Sequence, residues 1–414
     1  MEQQLLNKYA QTILTTVGLQ KGQYVVVNCE PINRHFALVI AEHAYRRGAA
    51  YVAIEHPIHL GPRLNRIRAD YCPEEYLDLL PASLREQAER RVEEKWVHIN
   101  LMGEENPECM EGVAPERSKR LNQGYTPLRK VQMQAFLNAR VQWQVAYLPT
   151  PANAARIYGS QPDDEAAGRA FEALAEILQL GDPDPADRWT EKVAEIERRA
   201  RALEELELKS LRFTGPGTDL EIGMTSGCRW KGGTFTAEDG TRFIPNLPTE
   251  EVFTSPDFRR VNGRAAVTRP VLVKEVGNQL VDGAWFEFKD GKVVDYGADR
   301  GKHVLDELLS FDEGARRLGE VALVDGNSSI FRSGLLWNNT LLDENAACHI
   351  ALGNGLAPAI EGGEAMSEEE LTAHGINSSK IHTDFMIGSP QVDVTAAAAD
   401  GRAVEIIKDG VFQL

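Results

Sequence analysis

The chain has 414 residues, with 45 Lys and Arg against 62 Asp and Glu, giving a formal charge of −17. Hydrophobic residues make up 43% and charged residues 26%, ordinary globular values, and the length predicts two or three domains around a large buried core. So acidic a chain repels phosphate backbones and anionic lipid, which excludes nucleic acid and membrane surfaces as partners and leaves cation binding open.

No apolar run approaches the roughly 20 residues of a membrane span. Met1-Glu2-Gln3-Gln4 is not the basic segment that opens a signal peptide. The 5 cysteines (Cys29, Cys72, Cys109, Cys228, Cys348) are scattered and form no CxxC pair. That usage suits reduced thiols in a cytoplasmic protein.

Along the chain, Leu5, Leu6, Tyr9, Ile13, Leu14 and Val17 recur at helical spacing and Gly18 can end the helix. Val25-Val26-Val27 reads as a strand, Phe36 to Tyr45 as a helix, and Tyr51-Val52-Ala53-Ile54 as a second strand. This β-α-β order predicts a parallel sheet covered by helices. The turn after the first strand, Cys29-Glu30-Pro31-Ile32-Asn33, is no GxGxxG, and no GxxxxGK[ST] occurs, which rejects those dinucleotide and ATP sites. From Asp164 to Lys209 the chain is helical and charged, broken at Gly181-Asp182-Pro183-Asp184-Pro185, and Glu191 to Leu208 forms one long amphipathic helix. We therefore expect an α/β domain over 1–210 and a β-rich, α+β domain over 211–414. In the second half, Asp-Gly pairs at Asp239, Asp282, Asp290, Asp325 and Asp409 predict hairpins and antiparallel β-structure.

Of the 9 histidines, His43, His56, His59 and His98 fit plain structural roles. His382-Thr383-Asp384 lies in a strand-like segment, where alternation puts His382 and Asp384 on one face about 7 Å apart. An imidazole beside a carboxylate is a common metal-ligand pairing. His349 follows Asp343 and Glu344, which read as acidic caps of a helix. It is either a helix-surface histidine or, among its small and apolar neighbours, a buried one needing a partner such as a metal. On one regular helix Glu344 and His349 would not share a face. Glu250-Glu251 and Glu320 are flanked by apolar residues. Burying such carboxylates costs on the order of several kcal/mol unless they are paired or metal-bound. The alternative is half-exposed strands with these glutamates in water. Ser367-Glu368-Glu369-Glu370 reads as a capping box, and Asn377 and Ser378 stand just ahead of the His382 strand.

Several segments together resemble the M29 metallo-aminopeptidases, the aminopeptidase T and aminopeptidase S group. They are Asn246 to Thr254 (NLPTEEVFT), Arg317 to Ala322 (RLGEVA), Asn339 to His349 (NTLLDENAACH) and His382 to Gly388 (HTDFMIG). The likeness extends to Gly215 to Leu220 and to Trp143 to Pro149, and so over nearly the whole chain. The resemblance implies an α/β first domain, a β-rich catalytic second domain and a cytoplasmic homodimer. It also implies release of N-terminal residues from short peptides by a water activated between two divalent ions, Zn, Co, Mn or Mg. Carried over by motif, the metal ligands are Glu251, Glu320, His349, His382 and Asp384. Glu320 also resembles the catalytic base, and Glu251 rather than Glu250 matches the Glu-Val-Phe part of its motif.

One position departs. The family motif His-Leu-Ala-Leu-Gly-x-x-Tyr carries a tyrosine where this chain has Leu356. That hydroxyl is expected to stabilise a tetrahedral oxyanion, and losing one such donor lowers the rate on the order of a hundredfold to a thousandfold. Activity is thus expected to be reduced or altered. Two other readings stand beside the peptidase. His349, His382 and Asp384 could form the facial triad of a mononuclear Fe(II) ring-cleaving dioxygenase, a group whose C-terminal motifs are also similar. The chain could also be a non-catalytic metal-binding dimer.

Overall fold

The computed structural model describes residues 2–56, 62–277 and 279–414, so His59 lies outside the described residues. Internal contacts divide the chain into two units: Met1–Thr190 with Thr234–Pro248, and Glu191–Gly233 with Thr249–Leu414.

The first unit is built on a parallel sheet. Its strands run in the order Tyr51–Glu55, Tyr24–Cys29, Val97–Met102, Trp143–Tyr147 and Asn246–Leu247. Val25, Val26 and Val27 are fully buried, as expected of a strand covered on both faces. Helices Gln3–Thr16, Arg34–Arg46, Ala82–Glu93 and Pro115–Leu137 fall between or before these strands in the chain. The first of them ends at Gly18, whose φ of +71° and close approach to Arg242 O leave no room for a side chain.

The long charged helix is Pro185–Glu205. The chain passes from the first unit to the second within it. Val193, Ile196, Ala200 and Leu203 form its buried stripe, and the last three belong to the core of the second unit. The change in composition near residue 210 therefore lies inside the second unit, because the end of this helix packs there.

The second unit holds two larger antiparallel sheets. The eight-stranded one runs Lys292–Gly297, Trp285–Lys289, Pro256–Ala266, Thr218–Met224, Ser210–Gly215, Asp393–Ala397, Ala403–Lys408 and Val411–Phe412. The four-stranded one runs Glu251–Thr254, Leu318–Val324, His349–Gly353 and His382–Met386. The Asp-Gly turns at 290 and 409 link adjacent strands, with both residues of each pair at positive φ, the conformation that Asp-Gly hairpins require. Asp239-Gly240, in the first unit, also sits between two paired strands. Asp325-Gly326 differs: it leads out of a strand into the helix Ser329–Arg332, and Asp325 pairs with Arg199 at 2.9 Å. No helix among the described residues is long and apolar enough to cross a membrane.

Alternation decides what the four-stranded sheet presents. Val252, Val321, Leu323, Ile350, Leu352 and Phe385 point to one face and join a core with Phe213, Leu220, Ile222, Phe286 and Val394 of the larger sheet. The opposite face carries the polar residues, and it is the site.

Candidate metal centre

Register brings the sequence-predicted residues together. Ala322 lies opposite His349, Glu320 opposite Ala351, Ala351 opposite Asp384, and Gly353 opposite His382. On the outer strand Glu251 lies opposite Val324 and Phe253 opposite Ala322. Since residues two apart share a face, Glu251, Glu320, His349, His382 and Asp384 all project from one side of the sheet. Ala322, Ala351 and Gly353, the residues between them, are too small to fill the space.

The donors form two groups. Glu251, Glu320 and His349 make one, and Glu320, His382 and Asp384 the other, each with ligand atoms within 4.8 Å of one another. Glu320 belongs to both. His349 Nε2 is 3.4 Å from Glu251 and 4.0 Å from Glu320, while His382 Nε2 is 3.0 Å from Glu320 and 3.5 Å from Asp384. Both imidazoles are oriented from behind: His349 Nδ1 is 3.2 Å from Ala347 O and His382 Nδ1 is 2.8 Å from Asn354 O. A proton on each Nδ1, donated to the carbonyl behind it, leaves Nε2 with a lone pair that can bind a metal ion on the site face.

The neighbouring glutamates separate cleanly. Glu250 faces away, accepting hydrogen bonds from Ser329 N–H at 3.0 Å and from the Ser329 hydroxyl, and pairing with Lys192 at 2.8 Å. Its own N–H donates to Asn345 Oδ1. Glu251 is buried too, yet its Oε2 has no hydrogen-bond partner.

Electrostatics show which species the site favours. Burial, then the Glu344, Glu320 and Asp384 charges, push the Glu251 carboxyl well above the ordinary range. Burial lowers His382, but hydrogen bonds and charge from Asp384 and Glu320 outweigh it and hold the imidazole well above its usual value. Burial likewise raises Asp384, but its bond to His382 takes it down to about 2. Packed carboxylates, an orphaned buried oxygen and two Nε2 donors fit divalent cations.

Glu344 is the residue that sequence reasoning passed over. Burial, then the charge of Asp384, push its carboxyl well above the usual range, and Glu320 adds to this. The helix ends at Asp343, residues 344–346 make a 3-10 turn, and His349 opens a strand. The helical spacing that kept Glu344 and His349 apart therefore does not apply. Asp343 does not join the site: it accepts from the N–H groups of Trp337 and Asn339, and burial pushes it up to about 6. Asn377 donates to Gly314 O and Gly353 O, holding the end of the His349 strand. Leu356 N–H donates to Ser255 Oγ at 2.8 Å, just beyond the Glu251 strand. Ser367 and Glu370 form the capping box.

His43, His56 and His98 belong to neither donor group. His43 Nε2 is 3.2 Å from Asn7 Oδ1, and His56 Nδ1 is 2.6 Å from Cys29 O.

Residues 2–412 match the family of thermophilic metalloproteases, M29. The chain is 36% identical to aminopeptidase T of Thermus aquaticus over 98% of its own length and 97% of the relative's. It superposes on a solved structure of wild-type AmpT from Thermus thermophilus with a TM-score of 0.90 at 34% identity, covering 99% of both chains. A 2,5-dihydroxypyridine dioxygenase from Pseudomonas putida KT2440 gives a TM-score of 0.52 at 13% identity, covering 99% of this chain and 97% of that one, a likeness of fold alone. The chain belongs to the M29 metalloprotease family. It is a metal-dependent hydrolase.

Proposed function

We propose that this chain is a metallo-aminopeptidase that releases N-terminal residues from short peptides at a two-metal centre. The observation that carries the reading is the pair of donor groups sharing Glu320 on one sheet face. Glu251, Glu320 and His349 would hold one ion, and Glu320, His382 and Asp384 the other, with Glu344 as a further carboxylate. Zn, Co, Mn and Mg all suit such a set. Bound divalent ions lower the pKa of water and polarise a carbonyl. Glu320 then takes a proton on its carboxylate from the attacking water and delivers it to the leaving amine nitrogen as the C–N bond breaks. The backbone carbonyls behind His349 and His382 keep both rings oriented while charge develops. Leu356 offers no side-chain donor where the family motif has a tyrosine, so turnover is slower than such a site could reach. We place the enzyme in the cytoplasm, where its free cysteines stay reduced, and as a homodimer.

A dioxygenase triad of His349, His382 and Asp384 is less well supported. His349 groups with Glu251 and Glu320, apart from the His382–Asp384 pair. A non-catalytic metal-binding dimer has only Leu356 in its favour. The test is metal content per chain, followed by hydrolysis of leucine p-nitroanilide with added Co²⁺, Zn²⁺ or Mn²⁺. Two ions and product release support the reading; one iron and no hydrolysis with any metal overturn it.

A further inference from the structure

Glu251 and His349 each open a strand of the four-stranded sheet, and each strand pairs with Leu318–Val324 between them, not with the other. Sheet hydrogen bonds therefore tie the two donors together only through the middle strand. Asn345 adds a direct link. Its Oδ1 accepts at 2.6 Å from the N–H of Glu250, the residue before Glu251, and its Nδ2 donates at 3.0 Å to Leu341 O in the short helix Thr340–Asp343. Its backbone oxygen accepts from the Ser328 hydroxyl at 2.8 Å. The same Ser328 oxygen caps the helix Ser329–Arg332, accepting from the N–H groups of Ile330 and Phe331. Ser329, next in the chain, donates to the Glu250 carboxylate from its N–H at 3.0 Å and from its hydroxyl. These bonds close a ring, from Glu250 to Asn345 to Ser328 and Ser329 and back to Glu250. Glu250, Ser328 and Asn345 are all buried. The ring joins the entry to the Glu251 strand, the exit from the Glu320 strand and the turn that carries Glu344 ahead of His349.

We propose that Asn345 is a positioning residue: it sets the span between Glu251 and His349, and with it the affinity of their donor group for a divalent ion, and leaves the group of His382 and Asp384 untouched. This rests on the two-metal reading. Glu251 Oε2 and His349 Nε2 stand 3.4 Å apart across the middle strand. A Zn²⁺ ion takes carboxylate oxygen and imidazole nitrogen at roughly 2.0–2.2 Å, so a small shift at either strand entry is felt by the ion. His382 and Asp384 lie on the strand at the opposite edge of the sheet, and His382 is oriented by Asn354 O, outside the ring. Glu320, which both groups share, sits on a strand held by pairing on both sides. A short amide suits the task, because it accepts and donates at once and adds no charge beside Glu250 and Glu344, where a further buried carboxylate would be costly.

The test reads each donor group by itself in the full chain. Asp384→Asn disables the second group and Glu251→Gln the first, so the Zn²⁺ affinity left in each chain, measured by competition with a chromophoric chelator, reports one group. Adding Asn345→Ala to Asp384→Asn is expected to weaken Zn²⁺ binding on the order of tenfold to a hundredfold, the cost of losing a partner that holds a ligand in place. Adding it to Glu251→Gln is expected to leave the affinity unchanged. Ser328→Ala cuts the ring at its other arm and should weaken the same group. A thermal melt in chelator shows that each chain is folded, and if Asn345→Ala is not, Ser328→Ala decides on the same two backgrounds. An unchanged affinity in the Asp384→Asn chain overturns the proposal. So does an equal loss in both chains, which is what a residue of merely structural importance would give. If the parent takes up a single ion with every divalent metal, the two-metal reading itself has failed. If the parent takes up two and the loss is not selective, only the role of Asn345 has.

Discussion

Glu250 and Glu251 are adjacent, alike and both buried, yet their removal should have opposite consequences. The Glu250 side chain is 1% exposed and is held by Lys192 at 2.8 Å and by both donors of Ser329. Breaking a buried ion pair costs about 3–5 kcal/mol. Lys192 keeps 29% of its side chain in water and a glutamine oxygen can still accept from Ser329, so we take about 2–3 kcal/mol for Glu250→Gln. The second unit has about 200 residues. At roughly 2–4 °C per kcal/mol its melting temperature should fall by about 4–12 °C, with metal content intact. Glu251→Gln instead removes one of several crowded carboxylates. Its chelator-treated form should melt no lower than the parent, while its metal per chain and its turnover fall. Thermal melts in chelator and elemental analysis of the loaded protein read the two arms. Loss of metal from Glu250→Gln at an unchanged melting temperature, with Glu251→Gln still loaded, would refute the assignment.

Leu356→Tyr should raise kcat on leucine p-nitroanilide by tenfold or more if the missing hydroxyl limits turnover, and an unchanged rate would show that it does not. Ala351→Leu places a larger side chain between Glu320 and Asp384 on the site face and should weaken metal binding; unaltered metal affinity by competitive titration would contradict the register. His98 is buried with neither ring nitrogen hydrogen-bonded, and burial lowers its pKa to about 3. The unfolded chain takes up a proton near pH 6.5 that the folded chain refuses. Stability is therefore lost as pH falls from about 6.5 toward 3, by up to about 1.4 kcal/mol per unit. His98→Leu should remove that slope, and melts at pH 7 and pH 5 that fall equally in parent and variant would count against it.

The elements were legible wherever local pattern decides them. The three-valine run, the helices of the first unit, the capping box at Ser367 and the Asp290 and Asp409 turns all follow from short-range rules. The site was legible only in pieces. Alternation put His382 and Asp384 on one face, but the meeting of Glu251 with His349 depends on the register of strands far apart in the chain, which no local spacing encodes. Resemblance supplied those residues; periodicity could not. Glu344 was passed over because the acidic residues before His349 read as helix caps, whereas the helix stops at Asp343. The only local clue was Asn345, a weak helix former; Ala346 and Ala347 favour a helix, so the sequence argues for the helix to continue. Asp325-Gly326 had the signal of a hairpin and became a turn into a helix, since Asp325 meets Arg199 rather than a partner strand.

The pairing of these four strands also sets an order of events as the chain is made. Glu251 emerges from the ribosome long before Asp384, and the His349 strand is flanked on one side by a strand made earlier and on the other by one made later. Neither donor group can close until the sheet does, since Glu320 and His349 meet only across paired strands. Ions held by these groups would therefore not template the early collapse of the second unit; they would load a nearly finished domain, and a chain that stalls before residue 382 would offer only one of the two donor groups.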